Sequence, residues 1–325
     1  MGCESGMQAS YRPARYAAID IGTVTCRMLV ADVDAQGHLS ELDREYAIAN
    51  LGEGVDATGV LKPQAIQRVV GIVDGYCRVR DGFSDSEHGA IETVAVATSA
   101  SRDAKNADEF AGALQGIGVK LSVIPGEKEA ALSFSGASCD FAGENLMVVD
   151  IGGGSTEVVV GRAGQEPVWA HSFNIGCRRV TEKFIHHDVP TQQELDLARA
   201  WIREGMTAKF SELRKTGFEL SRLVAVAGTA TTVVAVRDKM GVYDSAKVHK
   251  AYVSRAELDA QFKQLANMPL EQRQSVVGLD PGRAPIIVAG LLIMQTVLDL
   301  AGVDGFTVSE TDILHGIILD AARIS

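Results

Sequence analysis

The stretch Asp150-Ile-Gly-Gly-Gly-Ser-Thr-Glu157 sets three successive glycines between two apolar runs, Leu146 to Asp150 and Glu157 to Val160. Without Cβ atoms in the way, backbone N–H groups in such a turn can approach an anion closely. The turn therefore reads as a phosphate cradle of Gly152, Gly153 and Gly154, with hydroxyl donors from Ser155 and Thr156. Asp150 and Glu157 stand at its two ends, where both carboxylates can reach one hard cation such as magnesium. The plain alternative is a glycine-rich β-turn carrying surface carboxylates. A second loop, Asp20-Ile-Gly-Thr-Val-Thr25, offers Asp20 as a further metal ligand and Thr23 and Thr25 as hydroxyls for a phosphate or a metal-bound water. An ordinary hairpin explains that loop equally well. A third, Ala227-Gly-Thr-Ala-Thr-Thr232, offers Gly228 and Thr229 to phosphate oxygens or a nucleotide, against a plain strand-to-helix turn.

The elements that must position these loops follow from apolar spacing. Ala17 to Asp20 and Arg27 to Asp32 flank the first loop as strand, tight turn, strand, and the same pattern recurs at Asp150. Two Asp-Ile-Gly hairpins, each opening about half of the chain, mark a duplicated domain. Helical periodicity covers Pro63 to Arg80, Ala107 to Ile117, Glu127 to Phe134 and Thr191 to Leu213. Strands are predicted at Glu92 to Thr98, Leu121 to Ile124, Leu223 to Ala227 and Phe306 to Val308, with a helix from Thr311 to the end. Strands alternating with helices give an α/β class with helix-covered sheets.

Composition narrows the function classes. The chain has 325 residues, 46% hydrophobic and 22% charged, enough for two domains that each bury a core. A formal net charge of −11 argues against a general nucleic-acid or anionic-membrane binder. A polyanionic substrate then requires a local positive channel. Five scattered cysteines (Cys3, Cys26, Cys77, Cys139, Cys177) lack zinc spacing and read as reduced, mostly buried thiols. The N-terminus shows no secretory signal, and Ile286 to Leu300, broken by Gly290, Gln295 and Asp299, reads as a buried helix. The expected compartment is the cytoplasm.

The whole chain resembles the exopolyphosphatase and guanosine pentaphosphate phosphohydrolase family, a branch of the actin-like and sugar-kinase ATPase superfamily. Besides the two hairpin loops, the matching stretches are Leu51-Gly-Glu-Gly-Val-Asp56, Val96-Ala-Thr-Ser-Ala-Ser-Arg-Asp103 and Ile124-Pro-Gly-Glu-Lys-Glu-Ala130. They continue through Ile175-Gly-Cys177, Arg179-Val-Thr-Glu182, Val308-Ser-Glu310 and Leu314-His-Gly316, in the family's order from about Tyr16 onward. The resemblance implies two actin-like (ribonuclease H-like) domains with mixed sheets and a cleft between them. Residues 1–135 form the first domain, 136–310 the second, and 311–325 a closing helix that packs back on the first. It implies Glu129 as the catalytic base, Asp150 and Glu157 as ligands of magnesium (or manganese), and Ser155 and Arg102 as phosphate contacts. It also implies a homodimer.

This sequence departs from the family pattern at several places. Val24 replaces an asparagine in the first loop, and Asn50 stands where an arginine precedes Leu-Gly-Glu-Gly. Lys128 and Arg178 add positive charge at other motif positions, an expected partial compensation. The resulting expectation is a magnesium-dependent exopolyphosphatase. Guanosine pentaphosphate is the second substrate, and a weakly active polyphosphate- or nucleotide-binding regulator is the rival of another class.

Overall fold

Each Asp-Ile-Gly hairpin founds a sheet. In the computed structural model, which describes residues 10–85 and 90–324, β1 (Ala14–Ile21) turns into β2 (Thr25–Val33) and returns as β3 (Leu39–Ile48). Then follow α1 (Pro63–Asp81), β4 (Glu92–Ala97), α2 (Ser99–Asp103), α3 (Ala107–Gln115), β5 (Leu121–Val123) and α4 (Gly126–Ser138). The sheet order is β3-β2-β1-β4-β5, antiparallel through the hairpins and parallel from β1 to β5. Cys3 lies outside the described residues.

The second half repeats this plan. β6 (Asn145–Ile151), β7 (Thr156–Arg162) and β8 (Trp169–Phe173) form the meander, and α5 (Cys177–Phe184) and α6 (Gln192–Lys215) follow. β9 (Arg222–Val226), α7 (Ala227–Arg237), β10 (Tyr252–Ser254), α8 (Arg255–Ala266), α9 (Ile287–Ala301), β11 (Gly305–Val308) and α10 (Ile313–Ala322) complete the chain. The order β8-β7-β6-β9-β11-β10 matches the first sheet, with one antiparallel strand added at the edge. The duplication read from two short motifs is thus a duplication of topology.

Burial on both faces explains the continuous apolar run of β6. Met147 and Val149 point into a core with α6 and α9, while Leu146 and Val148 point to α4. β3 carries no such run and is absent from the sequence reading. It is an edge strand bearing Glu41, Arg44 and Glu45, and charge of this kind protects an open edge. β9 ends one residue before the expected Ala227, because Ala227 turns the chain at φ +63° to start α7.

Two helices cross between the halves. α4 presents Ala130, Phe134 and Ala137, a spacing of four and three residues, to Val148, Val159 and Val224 of the second sheet. α10 does the reverse, burying Ile313, Leu314, Ile317 and Ile318 against Tyr16, Ala18, Leu29 and Val96 of the first sheet. The helices meet through glycine. A Cβ on Gly136 would fall 1.8 Å from the Asp312 carbonyl oxygen, and one on Gly316 would fall 2.0 Å from that of Leu132. Gly136→Ala is therefore expected to destabilise the protein by about 3 kcal/mol or more, read by denaturant unfolding. Gly71→Ala, exposed within α1 with open space around it, is expected to gain up to about 1 kcal/mol.

Candidate active site

The hairpins place their polar residues in equivalent registers. In the second, Asp150 pairs directly with Glu157, so both carboxylates leave the same face of the sheet. In the first, Asp20 pairs with Arg27 at the same seven-residue separation. One position of the duplicated hairpin is thus an anion in one half and a cation in the other. Sequence reasoning missed Arg27, although the recurrence that located Asp20 also marks it. Its Nη2 donates to Asp20 Oδ2 at 2.6 Å, and its Nη1 to the carboxylate of Asp312, the residue that caps α10.

Glu129 and Ser133 lie one helical turn apart on α4. Ser133 Oγ donates to Asp150 Oδ2 at 3.0 Å, which fixes that face of the helix toward the second hairpin. Glu129 accepts from Arg102 Nη1 at 2.5 Å, and the same nitrogen donates to the Ile124 carbonyl at 3.1 Å. Arg102, expected at a phosphate, thus also braces the candidate base. Glu157 is held by Ser172 Oγ at 2.6 Å and by Ser155, whose hydroxyl was expected to contact phosphate.

All four carboxylates are buried, and their charges feel one another. Desolvation pushes Glu129 up to about 7, Arg102 opposes it, and Asp150 and Asp20 add to the rise. Burial likewise raises Asp150 to about 6 against the pull of Arg27. Burial also raises Glu157, with Glu129 and Asp150 reinforcing it, and raises Asp20 despite Arg27. Asp20 Oδ1 is buried with no hydrogen-bond partner among the described residues. An all-oxygen donor set, short of positive charge and with an orphaned lone pair, fits a hard cation. Among the described residues no group of three or more acidic, histidine or cysteine side chains is arranged to hold a metal ion by itself.

Beside the carboxylates, the glycine turn is partly committed. The Gly152 amide closes the turn onto Ser155 O at 3.0 Å, whereas the Gly153 and Gly154 amides have no acceptor among the described residues. Thr156 gives its hydroxyl to Ile175 O at 2.5 Å, so of its donors the side chain is taken up by the fold. Thr23 lies against the glycines, its Oγ1 buried without a partner. Thr25 lies elsewhere, on the wall of a cavity of about 550 Å³ shared with Arg44, Tyr46, Gly228, Tyr243 and Arg283.

The third loop is the N-terminus of a helix, so Gly228, Thr231, Thr232 and Ala235 share the face that lines this cavity. Arg283 packs directly over Gly228 and donates to its carbonyl at 2.6 Å. Thr229 points the other way, buried against Gly290 of α9. On this helix Thr231 and Thr232 line the cavity, and Thr229 does not. The compensation expected of Lys128 is also absent, since its Nζ pairs with Asp320 at 2.7 Å on an exposed surface.

Two sheets of one topology, each offering a hairpin loop to a common cleft, define a two-domain actin-like phosphate-handling fold. The chain belongs to the Ppx/GppA phosphatase family, whose model matches residues 29–323. It is 40% identical to exopolyphosphatase 2 of Mycobacterium tuberculosis, over 95% of this chain and 98% of that protein. The crystal structure of an exopolyphosphatase-like protein superposes with a TM-score of 0.87 at 33% identity, covering 96% of this chain and 98% of the other. An Aquifex aeolicus family member gives 0.76 at 28% identity, covering 95% and 97%.

The raised carboxyl pKa values carry a stability consequence. The folded state holds the Glu129 proton more tightly than the unfolded chain, whose value is near 4.5. Ionisation above pH 7 therefore costs stability, and that cost fades as pH falls through 7 and is gone below about 4.5. Glu129→Gln is expected to stabilise the metal-free protein at pH 8 by on the order of 1–3 kcal/mol, with no gain at pH 4.5, read by urea unfolding at both pH values.

Proposed function

We propose that this chain is an exopolyphosphatase that hydrolyses the terminal phosphoanhydride bond of inorganic polyphosphate with magnesium. The observation that carries the proposal is the set Asp20, Glu129, Asp150 and Glu157, buried beside the unsatisfied amides of Gly153 and Gly154. Those amides and Arg102 bind the terminal phosphoryl group. Glu129, poised near neutrality, accepts a proton from the attacking water as the new P–O bond forms. The anhydride P–O bond opposite breaks, and the shortened chain leaves as the anion. Arg102 keeps the Glu129 carboxylate oriented throughout. Asp150 and Glu157, with Asp20 beside them, would hold magnesium, which would supply neutralisation of charge on the phosphoryl oxygens.

A second reading, guanosine pentaphosphate 5'-phosphohydrolase, is favoured by the 550 Å³ cavity. Its size falls in the range of small-molecule sites, roughly 300–1,000 Å³. Its two tyrosine rings and four carboxylates (Glu45, Asp280, Glu310, Asp312) against three arginines suit a base and ribose better than a bare polyanion. Among the described residues four cysteines carry free thiols, two of them buried, which supports a cytoplasmic location. The homodimer rests on the family resemblance and is read by light scattering on the purified protein.

Phosphate release from long-chain polyphosphate, with guanosine pentaphosphate and ATP alongside, tests both readings. Release is expected to require magnesium, to be fastest on polyphosphate and to fall by about 10²–10⁴-fold in Glu129→Gln. Faster release from guanosine pentaphosphate, lost selectively in Tyr46→Ala, would favour the second reading. No release from any substrate by folded protein would leave the binding regulator as the account.

A further inference from the structure

Around the cleft mouth, several buried donors have nothing to donate to. Thr23 Oγ1, Ser99 Oγ and Arg178 Nε are all buried and without a hydrogen-bond partner among the described residues. These three residues line one small void of about 20 Å³ together with Gly153 and Gly154. A Cβ on Gly154 would lie 2.5 Å from Ser99 Oγ and 2.8 Å from Thr23 Oγ1, so both hydroxyls crowd the glycine turn. A void of that size takes about one water or one oxygen atom, and burying three unsatisfied donors without an acceptor costs about 1–3 kcal/mol each. The carboxylates that also line the void are already paired. Arg179 holds Asp56 and Asp103, and Arg178 Nη1 reaches Glu182 at 3.2 Å. Each of the three unpartnered groups can donate to an oxygen placed in the void.

Arg178 is held there from two sides. Its backbone amide donates to Gly153 O at 2.9 Å, which ties the start of α5 to the glycine turn. Its Nη2 donates to the side-chain oxygen of Asn50, which the other half of the molecule supplies. Asn50 sits at φ +49°, a left-handed conformation that asparagine tolerates, and its amide donates to Val24 O at 2.8 Å in the first loop. Asn50 therefore offers an acceptor on one wall, and the Arg178 cation reaches it from the opposite one.

We infer that Thr23, Ser99 and Arg178 form an oxygen pocket for one non-bridging oxygen of the phosphoryl group seated on the Gly153 and Gly154 amides. Arg178 supplies from the second half the positive charge that Asn50 does not. The inference rests on the phosphohydrolase reading for the identity of the substrate, but not for the binding of phosphate. It makes Arg178 a binding residue set apart from the water-activating side of the site. Loss of its guanidinium raises KM while kcat stays nearly constant.

Calorimetric titration of the magnesium-loaded protein with inorganic phosphate tests this without turnover. The variants are Arg178→Ala, Ser99→Ala and the exchange Asn50→Arg with Arg178→Ala, each with its melting temperature. Phosphate affinity is expected to fall by about tenfold or more in Arg178→Ala at unchanged melting temperature. Ser99→Ala should lose less, and the exchange should recover part of the loss. Affinity within twofold of wild type in Arg178→Ala would overturn the inference and leave the void to an ordered water. A fall in affinity that only tracks a fall in melting temperature, without recovery in the exchange, would overturn it too by making Arg178 a structural strut. Absence of phosphate release from polyphosphate, with these affinities as expected, would count against the proposed function and not against the pocket.

Discussion

Burying carboxylates close together costs free energy unless something compensates them, and here four meet with two arginines in direct contact. Arg27 takes Asp20, and Arg102 takes Glu129. Asp150 and Glu157 are left with serine hydroxyls from Ser133, Ser155 and Ser172, which stabilise a carboxylate less than a cation does. Much of the surrounding architecture keeps this imbalance from collapsing. α4 delivers Glu129 and Ser133 while its adjoining face is locked to the second sheet, and α10 delivers Asp312 to Arg27 from the helix cap. The glycine crossing of these helices lets two sheets of separate halves share one charged centre. On the function proposed above, a hard cation would complete the balance.

The hairpins are legible in the sequence because their signal is local. Asp20 and Asp150 each follow an apolar run and precede glycine, and the seven-residue spacing carries through to Arg27 and Glu157. The long helix to Lys215 is equally plain, with Thr191 and Glu194 forming its capping box. What stays hidden depends on partners distant in the chain. Nothing near Asp312 announces that it holds Arg27, 285 residues away. Nothing in Gly136 or Gly316 announces a helix crossing. The third loop departs from its expected form for a local reason. On the helix Thr229 turns to the core while Thr231 and Thr232 face the cavity.

The departures from the family pattern fit together across the cleft. Val24 offers no amide to a phosphate, yet it is buried in the apolar cluster of the second half and meets Gly153. Its carbonyl accepts from Ala49 and Asn50, and Asn50 in turn meets Arg178. Arg179 adds bonds to Asp56, Asp103 and Gly154 O. Apolar packing and ion pairs together close this side of the cleft. A first loop with fewer side-chain donors is thus matched by a second half that closes over it with arginines.

The central claim is that the buried carboxylates form a magnesium site, and a thermal-melting titration with magnesium at pH 6 and pH 8 tests it most directly. Protons compete with the metal for groups whose pKa values are raised. The account predicts stabilisation by magnesium that is larger at pH 8 than at pH 6 and is lost in the double variant Asp150→Asn, Glu157→Gln. A melting temperature indifferent to magnesium at both pH values, or a response the double variant retains in full, would contradict it.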